Sequence, residues 1–105
     1  MSIEQQVKIL NSLTQIMHDS AGGNYDEMYC EFEYEAYDGG WSVGSKYSFI
    51  LGGVTVSELL DDPEDNASDF VHELHELMKS HTGGDWKKFV LSIDPNGKAN
   101  TKFIY

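Results

Sequence analysis

The sequence predicts an α+β fold in the order α-β-β-α-β-β, an antiparallel sheet with two helices packed on one face. Three observations predict it. Apolar residues recur at helical steps over 2–20 and again from 63 to 82. Apolar and polar residues alternate over 25–37, 41–51, 86–94 and 98–105. Four Gly-Gly pairs, at 22–23, 39–40, 52–53 and 83–84, fall between these stretches, where glycine ends elements.

The first helix is expected from Ser2 to Ser20. Ile3, Val7, Leu10, Leu13 and Met17 follow one another at steps of three and four, and Ile9 and Ile16 widen the stripe as a core-facing helix requires. The first strand is expected from Tyr25 to Tyr37. Met28, Cys30, Phe32, Tyr34 and Ala36 point to the core, and Tyr29, Glu31, Glu33, Glu35 and Tyr37 point away. Asp38-Gly39-Gly40 turns the chain, and Trp41, Val43, Tyr47, Phe49 and Leu51 alternate along the return strand.

Val54-Thr55-Val56 then leads into Ser57-Glu58-Leu59-Leu60, read as one helical turn. Asp62-Pro63 is read as a helix start, with Asp62 as N-cap and Pro63 at the first helical position. Phe70, Leu74, Leu77 and Met78 form the expected buried stripe, and Gly83-Gly84 stops the helix. Trp86 to Asp94 is a strand with Phe89, Leu91 and Ile93 on one face. Asp94-Pro95-Asn96-Gly97 is a turn, and Lys98 to Tyr105 returns with Thr101, Phe103 and Tyr105 on one side.

The 105 residues fit a single domain, 1–105, able to bury a core without staples. One cysteine cannot form an internal disulfide. No long apolar run suggests a membrane span, and Met1-Ser2-Ile3-Glu4-Gln5-Gln6 lacks the basic and apolar parts of a signal peptide, so a cytoplasmic location is expected. Eighteen acids against seven lysines and no arginine give a net charge of −11. Such a surface is a poor partner for nucleic acid and anionic membranes and a good one for a basic protein.

No catalytic constellation appears, and the chain is read as a binding protein, not an enzyme, without cofactor or metal. His72-Glu73-Leu74-His75 sets its histidines three apart, where a zinc protease needs four, so the pair is read as part of an exposed acidic helix face. Cys30 is read as a small buried hydrophobe. The P-loop and dinucleotide glycine spacings are absent.

Two surfaces are candidates for partner binding. The first is the segment holding Glu58, Asp61, Asp62, Glu64, Asp65, Asp69, Glu73 and Glu76, eight acids with no lysine among them. The second is the outer row of the first strand, where Glu31, Glu33 and Glu35 are bracketed by Tyr29 and Tyr37. Tyrosines are common interface anchors, and three like charges on one strand face repel unless something answers them. The row's tyrosines could equally be covered within the fold or by a homodimer.

The C-terminal hairpin Trp86-Lys87-Lys88-Phe89-Val90-Leu91-Ser92-Ile93-Asp94-Pro95-Asn96-Gly97-Lys98, closing with Phe103-Ile104-Tyr105, carries a family resemblance. The first hairpin around Tyr34, Tyr37, Asp38-Gly39 and Trp41, and the acidic helix before Trp86, support it. The chain resembles the YezG-like immunity proteins, antitoxins of bacterial polymorphic and contact-dependent toxin systems. The resemblance implies no catalytic residues. It implies binding of a cognate toxin domain, often a basic nuclease, and its neutralisation in the producing cell. The alternative is an acidic DNA mimic or adaptor that regulates a nucleic-acid-binding partner.

Overall fold

A computed structural model describes residues 3–105; the expected helix start at Ser2 lies outside them. Two helices and five strands follow in the order α1 (Ile3–Ser20), β1 (Glu27–Tyr37), β2 (Gly40–Leu51), β3 (Val54–Glu58), α2 (Asn66–Thr82), β4 (Lys88–Ile93) and β5 (Ala99–Ile104). The strands form one antiparallel sheet in the order β3-β2-β1-β4-β5. The α+β class and the antiparallel sheet are as the sequence predicts, with one strand more.

That strand is β3. Val54–Glu58 pairs with Tyr47–Leu51, so Ser57-Glu58 continues a strand and begins no helical turn. The cause is the turn before it. Gly52 and Gly53 have φ of 60° and 80°, which gives the two-residue connection whose twist suits a hairpin. A chain reversed so tightly is delivered directly alongside β2.

Helix α2 begins at Asn66, four residues after the expected cap. Asp62 still serves its N-terminus from a distance. Its Oδ1 accepts the Asn66 N–H at 3.0 Å and its Oδ2 the Ala67 N–H at 2.8 Å. Pro63 therefore lies in the turn that brings the carboxylate back, and the N-cap position belongs to Asp65 in the left-handed region, φ 56°. Gly83, φ 72°, closes the other end by donating its N–H to the Lys79 carbonyl.

The core lies between the helices and one face of the sheet. Met28, Cys30, Phe32 and Tyr34 of β1 are buried there, with Tyr47 and Phe49 of β2 and Phe89, Leu91 and Ile93 of β4. The alternation ends at the hairpin tip, where Ala36 is exposed beside Tyr37. Helix α1 contributes Ile9, Leu13 and Met17, and the Tyr47 hydroxyl donates to the Met17 carbonyl at 2.7 Å. Ile3 and Val7, expected in its stripe, are exposed. At about 100° per residue Val7 stands about 120° round from Leu13, too far to reach the core that Ile9 and Leu13 face.

Helix α2 is likewise rotated from expectation. Ala67, Val71, Leu74 and His75 are its buried residues, while Phe70, Leu77 and Met78 pack at the margin. Trp86, just before β4, is fully buried against Phe89 and Phe103, its indole N–H 3.3 Å from Met78 Sδ. On edge strand β5, Phe103 is half-buried and Thr101 exposed, and Tyr105, just past the strand, is exposed as well. No helix among the described residues is long and apolar enough to cross a membrane.

Candidate functional site

His72 and His75 of α2 face the sheet, not solvent, which corrects the expectation that this pair lies on an exposed acidic face. His75 is 3% exposed. Its ring stacks on Tyr34 with centroids 4.1 Å apart and meets Trp86 edge-on at 4.9 Å. His72 stacks flat on Trp41, centroids 4.1 Å and planes 4° apart, and its Nδ1 is 3.0 Å from the Tyr34 hydroxyl. The rotation of α2 that buries Val71 and Leu74 carries His75 inward, because residues four apart share a face. Trp41 on β2 and Tyr34 on β1 lie on the same sheet face and present flat surfaces to both imidazoles.

This cluster has the marks of a structural clasp. His75 Nε2 bonds to Asp85 Oδ1, and that bond chiefly, with Lys87 and Lys79 assisting, holds the Asp85 carboxyl below its usual value. Burial, then Glu76 and Asp85, raise the Tyr34 phenol, so it remains a neutral hydrogen-bonding group. Cys30 is wholly buried and its thiol is pushed up to about 12, chiefly by loss of solvent. A thiol so placed is no nucleophile. Among the described residues no three His, Cys, Asp or Glu side chains converge as a metal site would need.

The outer sheet face carries the tyrosine-glutamate row as expected, but its charge is answered. Lys46 lies opposite Glu31 in the β1–β2 register and Lys88 opposite Glu33 in the β1–β4 register. Lys46 Nζ is 3.8 Å from Glu31 and 3.7 Å from Glu33, and Lys88 Nζ is 3.6 Å from Glu31. Lys102 adds a third cation on the same face across from Val90. Strand pairing thus supplies the counter-charges that the isolated strand sequence lacks. Tyr29 bonds through its hydroxyl to Glu27 at 2.7 Å, which raises its phenol, and Tyr37 is open to solvent beside Glu35.

The segment from Glu58 to Glu76 is different. Glu58 ends β3, Asp61 to Asp65 occupy the connection, and Asp69, Glu73 and Glu76 stand on α2. All but Asp62 are exposed. Among the described residues none of the eight carboxylates is in an ion pair. Three of them have neutral hydrogen-bond partners: Asp62 holds the α2 backbone, Asp65 accepts the Ser68 hydroxyl at 2.7 Å, and Gln5 of α1 reaches Glu73 at 3.4 Å. Leu59, in the midst of these acids, is 88% exposed. The connection is tied down where the Ser20 hydroxyl accepts the Asp61 N–H at 2.8 Å.

Sequence reading missed the Trp41–His72–Tyr34–His75–Trp86 stack and the lysines opposite the glutamates. The Gly52-Gly53 hairpin signal could have revealed β3. Nothing local announces the stack, because its members come from β1, β2, α2 and the segment before β4.

No family model matches the sequence. The chain is 38% identical over 78 residues to the chorionicgonadotropic hormone-like protein of Stenotrophomonas maltophilia. That match covers 72% of this chain and 18% of the other protein, so the chain spans less than a fifth of the curated relative it matches.

Proposed function

We propose that this chain is a cytoplasmic immunity protein that binds and neutralises a basic toxin domain, with a nuclease the best fit to its charge. The observation that carries this reading is the unanswered acidity of the 58–76 surface, set against an outer sheet face where lysines meet the glutamates. Of the two candidate surfaces, the helix and its preceding connection therefore hold the net negative field. A nuclease domain carries cations where it grips phosphates, and an acidic protein seated on them removes the substrate's place. The resemblance to the YezG-like immunity proteins supports the same reading. The Trp41–His72–Tyr34–His75 stack fits it too, because it fixes α2 rigidly on the sheet and limits the ordering cost of binding.

The test is co-purification of the chain with the C-terminal domain encoded by the adjacent reading frame, together with survival of cells that express that domain. A stable complex and restored growth are the expected results. A toxic domain that neither binds the chain nor is silenced by it overturns the reading.

A further inference from the structure

A cleft of about 230 Å³ opens beside the acidic connection, between it and the inner face of the sheet. Phe32, Val43, Leu59 and Leu60 line it together with the acids Asp62 and Asp65. This volume is below the ~300–1,000 Å³ of sites that hold cofactors or drug-sized ligands. It suits one long side chain. We propose that the cleft receives an arginine side chain of a partner protein, its stem along Phe32, Val43 and Leu60 and its guanidinium on Asp65 and Asp62. The inference deepens the immunity reading, on whose basic partner it rests.

Three features select this occupant. The lining joins apolar side chains to two carboxylates, the two kinds of surface that an arginine's stem and head require. Neither aspartate is ion-paired among the described residues, and the Asp65 carboxylate accepts the Ser68 hydroxyl through Oδ1. The start of α2 adds a positive pole worth roughly half a charge, which two full carboxylates outweigh. Leu59, 88% exposed in the cleft lining, supplies apolar surface for the stem. A neutral apolar side chain would take the Asp62 and Asp65 carboxylates out of water and bring no counter-charge, which disfavours it.

Amide shifts of the ¹⁵N-labelled chain during titration with N-acetyl-arginine amide test the assignment. Saturable shifts should concentrate at Val43 to Ser45 and Leu59 to Ser68, with millimolar affinity. N-acetyl-citrulline amide, neutral and nearly isosteric, should bind at least ~10-fold more weakly. Asp65→Asn should abolish the difference between the two probes while leaving the spectrum folded, since asparagine accepts the left-handed backbone that Asp65 adopts. Ser45→Trp fills the cleft without touching the charges and should remove the shifts as well. Equal response to both probes, or shifts spread as strongly over Glu31 to Glu35, overturns the proposal. The probe is independent of any toxin. If a toxin domain binds and neither variant weakens it, the cleft assignment fails and the immunity reading stands. If the probe seats in the cleft and no toxin domain binds, the immunity reading alone fails.

Discussion

His75 and Asp85 form a hydrogen bond of 3.0 Å between a ring that is 3% exposed and a carboxylate at the surface. An ionised carboxylate only accepts, so His75 carries its hydrogen on Nε2 toward Asp85. Its other nitrogen, Nδ1, is buried with no hydrogen-bond partner among the described residues. The bond fastens the middle of α2 to the segment that leads into β4, beside the stacked Tyr34.

This bond makes stability depend on acid. The folded-state value of Asp85 lies below its unfolded value, with His75 the main cause. Its contribution is therefore full above the unfolded value, near ~3.9, and is lost as pH falls through the lower folded value. Urea midpoints measured from pH 6 down to pH 2.5 should fall for the parent chain. For Asp85→Asn the parent's extra loss below pH ~4 should be missing. Identical acid limbs in the two proteins would assign the loss to other carboxylates.

Cys30 gives a second check on the packing. Its thiol, pushed up to about 12 and shielded on β1, holds almost no thiolate at pH 8. A disulfide reagent should label it only as fast as the protein opens, and at once in denaturing urea. Labelling of the folded chain at the rate of a free thiol would mean that this part of the sheet opens readily.

Gly97 supports the last hairpin through its backbone angle alone. Its φ is 81°, its N–H donates to the Asp94 carbonyl at 2.9 Å, and a Cβ there would meet nothing within 4 Å. The cost of Gly97→Val is therefore conformational strain without a clash, on the order of 1–2 kcal/mol, or several degrees in Tm. Gly97→Asn should recover part of it, because asparagine tolerates this region better. Equal melting of the valine variant and the parent would show that the turn relaxes at no cost.

These results show how far sequence reading reaches. Strand alternation located Met28, Cys30, Phe32 and Tyr34 correctly because period two leaves little freedom once one face is buried. Helix faces were less legible. In α1 the apolar set spans more than one face, so Ile3 and Val7 joined the stripe on paper and stand in solvent in the fold. In α2 a polar residue, His75, takes a core position that no hydrophobic pattern would assign to it. Charge was legible as a total and not as a surface. Lys46 and Lys88 are 13 and 55 residues after Glu33 in number, and only sheet register brings them to the glutamates.

That register sharpens the test of the binding surface. Asp69→Lys with Glu73→Lys reverses two exposed acids of α2 that have no ion pair among the described residues, so the fold should survive. Glu31→Lys with Glu33→Lys instead places two cations against Lys46 and Lys88. Like charges across strands destabilise, so this pair should lower the urea midpoint, though exposed pairs are worth little each. Binding should divide them the other way. The α2 pair should weaken a cognate toxin domain by more than ~10-fold, about 1.4 kcal/mol or more. The sheet pair, measured where it is fully folded, should change affinity by less. Association of the parent should slow steeply with salt as the Debye length shrinks from ~10 Å at 0.1 M to ~3 Å at 1 M, while dissociation changes little. The α2 pair should flatten that dependence. If its association rate and salt slope match the parent's, the acidic helix does not steer the partner, and its carboxylates serve solubility alone.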